Sequence, residues 1–325
     1  MLYVIKKRPK VISKWELFAV IIMFGAVLYF LHPDKRTFFK EILMSESTNY
    51  DLTEAYLSNI LRLEPQNAEY IYEFTKILIQ KGKYDLAETT FKALQSLPNK
   101  GHITKKATML QYEMLKRQYY MTDDPKIRAK LRKKMIAVFK KIVNAPFFFD
   151  FNLTKMNRWL NEAWFLQSAD LRLLVLTKMA AKYPDDATIN ENMLQLALML
   201  HKRNLIEIGL KHLQRDLKNS KGEAFKRRLT LLISGYQAVG KSQKASILLL
   251  QHYQRSGDLK ELVKAIEILV WSKHYSQAVE LARKYETVLL KNRWSAEKLL
   301  DLYLQTGHVK DARRIALKIM KRFHQ

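Results

Sequence analysis

Residues 235–242 read GYQAVGKS, a letter-for-letter match to the phosphate-binding pattern G-x-x-x-x-G-K-[ST]. The chemistry of that pattern is nucleotide binding. Backbone N–H groups of a loop wrap phosphate, the lysine (Lys241) reaches the outer phosphates and the serine (Ser242) holds Mg²⁺. A strand must run into the loop and a helix must leave it. Locally, LTLLIS before Gly235 suits a short strand and QKASILLLQHY after Ser242 suits a helix. A second requirement is a buried strand ending in an acidic residue for Mg²⁺. EILVWSK and LRLLVLTK, the apolar runs that come nearest, both end in Lys.

Other reactive constellations are weaker still. The eight histidines are scattered, with no H-x-x-x-H pair and no H-E-x-x-H pattern, so no metal site is expected. Cysteine is absent, which excludes disulfides, thiolate ligands and a cysteine nucleophile. The acid pairs Asp123-Asp124 and Asp185-Asp186 precede helical stretches and suit the positive ends of helix dipoles better than a catalytic dyad. No nucleophile–base spacing is readable, so the sequence points to a protein that is not an enzyme and carries no cofactor. Trp159, Trp164, Trp271 and Trp294 lie on helical patterns, where core packing is the expectation; Trp294 is the one placed to face a binding groove.

The elements that position these residues follow from composition. The chain has 325 residues, 48% of them hydrophobic, with only 9 Gly and 7 Pro. That is ample apolar material for a core but too few turn residues for a strand-rich fold, so an all-α chain is expected. Lys and Arg outnumber Asp and Glu by 57 to 31, a formal charge of +26. Such an excess attracts nucleic acid, anionic lipid, acidic polymers or acidic proteins.

Internal periodicity organises most of the chain. In NAEYIYEFTKILIQKGKYDLAETTFKALQSLP (67–98), helical spacing joins Ile71, Thr75 and Leu78. Gly82 and Tyr84 form a break, Ala87 and Phe91 continue the apolar face on a second helix, and Pro98 ends the unit. The same skeleton recurs as Ala197, Leu200, Asn204, Ile206 and Gly209, then as Ile233, Tyr236, Gly240, Ser242 and Ala245. It returns as Ile266, Leu269, Lys273, Tyr275 and Ala278, and last as Leu300, Tyr303, Gly307, Val309 and Ala312. A small residue opens each second helix at 87, 209, 245, 278 and 312, because two helices approach closely only where one presents Gly or Ala. YDLTEAYLSNILRLEP (50–65) reads as the second helix of a further unit.

Between residues 100 and 185 the pattern is looser. ITKKATMLQYEMLKRQYY and PKIRAKLRKKMIAVFKKIV read as one helix pair, and NLTKMNRWLNEAWFLQ and ADLRLLVLTKMAAKYP as another. APFFFDFN (145–152) is a loop that packs its aromatics on the array.

A helix–turn–helix unit of about 34 residues resembles the tetratricopeptide repeat, or TPR. The resemblance covers 46–325, and it implies a right-handed α-solenoid whose groove binds peptides or proteins. In this register Gly240, Ser242 and Ala245 occupy the places of Gly82, Tyr84 and Ala87. GYQAVGKS is then a turn between helices, and P-loop nucleotide binding becomes the lesser alternative.

The N-terminus adds a membrane reading. LFAVIIMFGAVLYFL (Leu17 to Leu31) carries no charge, and residues 15–32 are expected to form a transmembrane signal anchor on which Leu17, Ile21, Phe24, Leu28 and Leu31 face lipid. Tyr29-Phe30-Leu31-His32 lacks the small residues of a cleavage site, which argues against a cleaved signal peptide. Residues 1–14 form a basic tail and 33–45 a juxtamembrane linker. Lys6, Lys7, Arg8, Lys10 and Lys14 precede the span, against Lys35, Arg36 and Lys40 after it. This bias places the tail in the cytoplasm and the body outside it, the periplasm in a Gram-negative cell. Nucleic acid is therefore not an expected partner.

SESTNYDLTEAYLSNILRLEPQNAEYIYEFTKILIQKGKYDLAETTFKAL, after a short anchor, resembles the opening of TPR proteins of bacterial exopolysaccharide secretion, particularly the Pel type. That resemblance covers about the first hundred residues and implies an inner-membrane scaffold for polymer-modifying or export proteins. No alternating strands are read before Gln325, so the outer-membrane barrel of the large export proteins is not expected in this sequence.

Lys126, Arg128, Lys130, Arg132, Lys133 and Lys134 make the densest basic run, with Lys140 and Lys141 beyond it. One reading is a solvated helix with Met135, Ile136, Val138 and Phe139 facing inward. The other is a patch for an anionic partner, polymer or lipid surface. Taken together, the sequence points to a membrane-tethered TPR scaffold with protein partners, with direct binding of an anionic polymer or lipid surface as the alternative.

Overall fold

The computed structural model describes Trp15, Phe18 and residues 20–24, 50–97 and 103–323. These are helical apart from turns, a 3₁₀ segment and short loops, and no strand occurs among the described residues. The chain divides into two compact units, Met1–Asp124 and Pro125–Gln325.

In the first unit the helices are α1 (Tyr50–Leu63), α2 (Ala68–Gln80), α3 (Tyr84–Ser96) and α4 (Ile103–Met121). Asn67 starts α2 by accepting from the backbone N–H groups of Glu69 and Tyr70, at 3.1 and 3.3 Å. Lys81 chains into α1 through Asp51 and Glu54, and Lys83 adds a 2.7 Å bond to Glu54. At the crossing of α2 and α3, Ala87 is fully buried and Thr75 donates 2.7 Å to Thr90. Ile71, Thr75, Leu78 and Phe91 are buried as their spacing requires.

The second unit begins with α5 (Pro125–Asn144), a 3₁₀ turn (Pro146–Asp150), α6 (Leu153–Phe165) and α7 (Ala169–Lys182). It continues through α8 (Ala187–Met199), α9 (Arg203–Lys218), α10 (Gly222–Ala238) and α11 (Ser242–Ser256). The last helices are α12 (Leu259–Trp271), α13 (Tyr275–Lys284), the short α14 (Glu286–Leu289), α15 (Arg293–Gln305) and α16 (Val309–Phe323). Asp186 caps α8 by accepting from Thr188 and Ile189, the role its acidic pair was given in the sequence. In the 145–152 loop, Phe148 and Phe151 are buried with ring centroids 5.4 Å apart, while Phe149 is exposed. The two helices read from the sequence as one pair, α4 and α5, both form, and the boundary between units falls between them.

One turn geometry recurs in six hairpins. A left-handed residue (Gly82, Gln167, His201, Gly240, Lys273 or Gly307) has φ between 48 and 75°. The next residue's N–H then bonds to the carbonyl five positions back. Examples are Lys83 to Leu78 at 2.9 Å, Ser168 to Ala163 at 3.2 Å and His274 to Leu269 at 2.8 Å. This is the Schellman closure of a helix end. The second helix starts two residues after the left-handed residue. Five residues after it stand the buried Ala87, Ala245, Ala278 and Ala312, at the helix crossing.

One turn expected from the sequence is corrected by this geometry. The turn between α8 and α9 is His201, not Asn204, which lies inside α9. Ile206 therefore holds the place of Ala245. Gly209 is a close contact of a different kind: a Cβ there would lie 3.0 Å from Leu194 Cβ. Ala197 is fully buried one turn before the left-handed residue. The helix pair read at 152–184, where the repeat pattern is looser, forms and closes like the others with the left-handed Gln167 at its turn, although no glycine marks it. Of the tyrosines at helix starts, Tyr84 is half-buried but Tyr275 is 43% exposed and contributes little packing.

No helix among the described residues is long and apolar enough to cross a membrane. Ile21 and Phe24 are helical with exposed side chains, whereas Leu17, Leu28, Leu31 and the 33–45 linker lie outside the described residues.

Candidate protein-binding face of the first helices

The GYQAVGKS residues do not form a phosphate cradle. Gly235 lies within α10, Gly240 is the left-handed turn residue, and Ser242 opens α11 with its side chain buried. Lys241 donates 2.8 Å to Glu207, and that hydrogen bond, with the lysine's charge, holds the Glu207 carboxyl below its usual range. Gly235 is there for packing. A Cβ at this position would meet Leu210 Cδ2 at 2.6 Å.

The basic run occupies α5. Met135, Val138 and Phe139 are buried and Ile136 is half-buried, as expected for the inward face. Lys126, Lys130, Lys133 and Lys134 are exposed and Arg128 is half-buried. Arg132 departs from the patch reading. Its guanidinium turns inward and donates to Leu166 O from Nε at 3.2 Å and Nη2 at 2.5 Å. Arg203 makes the equivalent contact to Val239 O at 3.3 Å. Leu166 and Val239 each precede a left-handed turn residue, so these arginines tie one hairpin to the turn of the next.

A different face carries three of the exposed large apolar groups, Trp164, Met199 and Trp271, while others such as Ile208, Ile247 and Leu317 lie on second helices. Within the second unit, cavities open between successive first helices of the hairpins. One, about 190 Å³, lies between α6 and α8 and is lined by Leu160, Trp164, Arg172, Leu176, Asn192, Gln195, Leu196 and Met199. A second, between α8 and α10, shares Asn192 and Gln195 with the first and adds Glu191, Lys226 and Arg227. A third, about 150 Å³, lies between α12 and α15 over Val263, Ile266 and Leu299, with Trp271, Glu267, Lys298 and Asp301 around it. Cavities of 150–190 Å³ hold a group of about the size of a benzene ring.

Trp271 is 68% exposed and Trp164 56% exposed at the rims of these cavities. The sequence assigned both to the core, and only Trp159 is buried there, with its ring 5.3 Å from Phe139. Trp294, the expected groove residue, is also exposed but does not line these cavities. Trp271 and Met199 stand at the same place, two residues before the left-handed turn residue. Helical periodicity does not distinguish such a terminal position from a core one, because exposure there depends on what the next hairpin leaves uncovered.

Charge on this face is organised around Glu191. Its carboxylate is buried and accepts 2.6 Å bonds from Arg227 Nε and Arg228 Nε of α10. Burial pushes the Glu191 carboxyl up, but the hydrogen bonds and charges of the two arginines outweigh it and hold the carboxyl below its usual range. Arg228 is half-buried beside it while Arg227 stays open to solvent, so the pair presents a cation on the face. Among the described residues no group of acidic or histidine side chains is arranged to hold a metal ion.

No protein family matches the chain, and no curated protein does. Among solved structures, the TPR domain of P58(IPK) is similar at 14% identity over 88% of this chain and 82% of that one, with a TM-score of 0.26. A circular tandem repeat protein with novel repeat topology is similar at 12% identity over 84% and 72% of the two chains, with a TM-score of 0.17. The class rests on the chain's own geometry: repeated helix hairpins with a left-handed turn and a small residue at most of the crossings, a TPR-like all-α repeat. Stacked repeats of this kind create extended concave surfaces.

Proposed function

We propose that this protein is a membrane-tethered scaffold that holds protein partners on the face of its first helices. The observation that carries the proposal is the placement of Trp164, Met199 and Trp271, all exposed, at cavities between successive first helices. Large aromatic and Met side chains left open beside apolar pockets are the groups that anchor partner proteins. The uncharged N-terminal run and its flanking lysines support the tether and an extracytoplasmic body. The likeness of the first hundred residues to Pel-type secretion proteins supports a place in assembling exopolysaccharide machinery.

The test is proximity labelling and pull-down of the full chain from its native membrane. Recovery of envelope proteins, lost in a Trp164→Ala/Trp271→Ala variant, supports the scaffold. Recovery unchanged by that variant moves binding to another face, and absence of exopolysaccharide components removes the pathway. A reporter active only in the cytoplasm, fused at the C-terminus, must stay silent for the topology to stand.

A second reading has its own observation. Lys130, Lys133, Lys140 and Lys141 are exposed along α5 and suit an anionic polymer or lipid surface. Salt separates the two. Polymer binding collapses as ionic strength rises, whereas docking through apolar anchors weakens little.

A further inference from the structure

Arg172 stands out among the helix crossings. It is the fifth residue after the left-handed Gln167, the place held in other hairpins by Ala87, Ala245, Ala278 and Ala312. Its guanidinium carbon stacks 3.2 Å above the centre of the Trp164 ring, and its Nε is buried without a hydrogen-bond partner. No carboxylate or carbonyl answers it within the described residues. Desolvation pulls its pKa down, the sign of a cation held where it lacks an anion. The side chain as a whole is half-buried, so the cost falls on the enclosed Nε, and stacking on the indole recovers only part of it.

The side chain lines the cavity between α6 and α8. Asn192 and Gln195 lie one turn apart on its other wall, with their amides exposed, and Leu160 and Met199 supply apolar surface. We infer that this cavity receives an acidic side chain of a protein partner, its carboxylate meeting Arg172 and its neighbouring apolar residue packing on Trp164 and Met199. The guanidinium fork donates two parallel hydrogen bonds to a carboxylate, and the two amides have donors left for the remaining lone pairs. A body rich in Lys and Arg favours an acidic partner in the first place. This assignment rests on the first-helix face being the partner surface.

The test uses the full chain in lipid nanodiscs and two probe peptides, acetyl-Leu-Glu-Leu-amide and acetyl-Leu-Gln-Leu-amide, titrated calorimetrically at 0.15 M salt. The Glu peptide is expected to bind about tenfold tighter than the Gln peptide, the scale of one well-made charged hydrogen bond. Arg172→Met keeps the apolar stem over Trp164 and should abolish that preference. Arg172→Lys should keep only part of it, because an ammonium lacks the fork. Lys211→Gln removes the same charge elsewhere and should leave the preference intact.

Equal binding of the two peptides overturns the carboxylate assignment while leaving the partner face standing. A preference that survives Arg172→Met, or falls equally in Lys211→Gln, shows a general charge effect and also overturns it. If neither peptide binds, the cavity is not a docking point. The scaffold reading is then judged separately by its pull-down. The wild-type comparison needs no variant to fold, and helical circular dichroism checks those that are made.

Discussion

Leu210 of α9 inserts where a side chain on Gly235 of α10 would be: the leucine Cδ2 lies 2.6 Å from the position of a Cβ there. The first glycine of a nucleotide-binding pattern is thus fixed by a helix–helix contact. Leu194 of α8 lies against the same spot and against Gly209, so two glycines let three successive helices nest. Gly235→Ala should therefore destabilise the fold by about 1–2 kcal/mol, overpacking outweighing the better helix propensity of alanine. Thermal unfolding of the full chain measures this, and pairing the change with Leu210→Val should restore part of the loss.

Lys241→Ala should behave as the loss of a surface ion pair with Glu207. The two side chains are about equally exposed, so the melting temperature should barely change. Labelled ATP should bind neither protein. Tight binding to the wild type that disappears in the variant would restore the nucleotide reading.

The turns can be exchanged in both directions. Gly240→Ala meets no atom within 4 Å, so its cost of about 1 kcal/mol is purely that of a left-handed backbone. Lys273 holds φ 64° in the equivalent turn, so Lys273→Gly should gain up to about 1 kcal/mol. Opposite shifts in melting temperature confirm that the two turns are equivalent.

Glu191→Gln should cost about 2 kcal/mol at pH 7, because the buried site loses its anion and the half-buried Arg228 keeps only Ser220 Oγ and the Asp216 carbonyl, while Arg227 is screened by solvent. The folded carboxyl is held below its usual range, so its stabilising effect is complete above the unfolded value. It is lost as pH falls through the folded one. The gap between wild type and variant should shrink below about pH 4. A gap that stays constant with pH would mean that the ion pair contributes nothing to stability.

Deleting residues 1–32 should move the protein from the membrane fraction to the soluble one while its helical circular dichroism per residue holds. Retention at the membrane at low salt, released by high salt, would instead assign the attachment to the basic face of α5.

The sequence by itself determined the helices, their pairing into hairpins and the turns at Gly82, Gly240 and Gly307. Those features are local: helical spacing of apolar residues, a glycine for the left-handed closure, an alanine at the crossing. It also placed the turn at Lys273, through the alanine five residues on, but misplaced His201 and passed over Gln167, where Ile206 and Arg172 stand in place of that alanine and no glycine marks the turn. Only the tertiary structure decided the candidate site. Whether Trp271 is exposed and Trp159 buried, whether Arg132 serves a carbonyl, and whether Arg172 finds an anion all depend on side chains about 10 to 40 residues away in sequence. A charge or an indole looks alike in either setting along the chain; its energy is set by the neighbours that stacking brings to it.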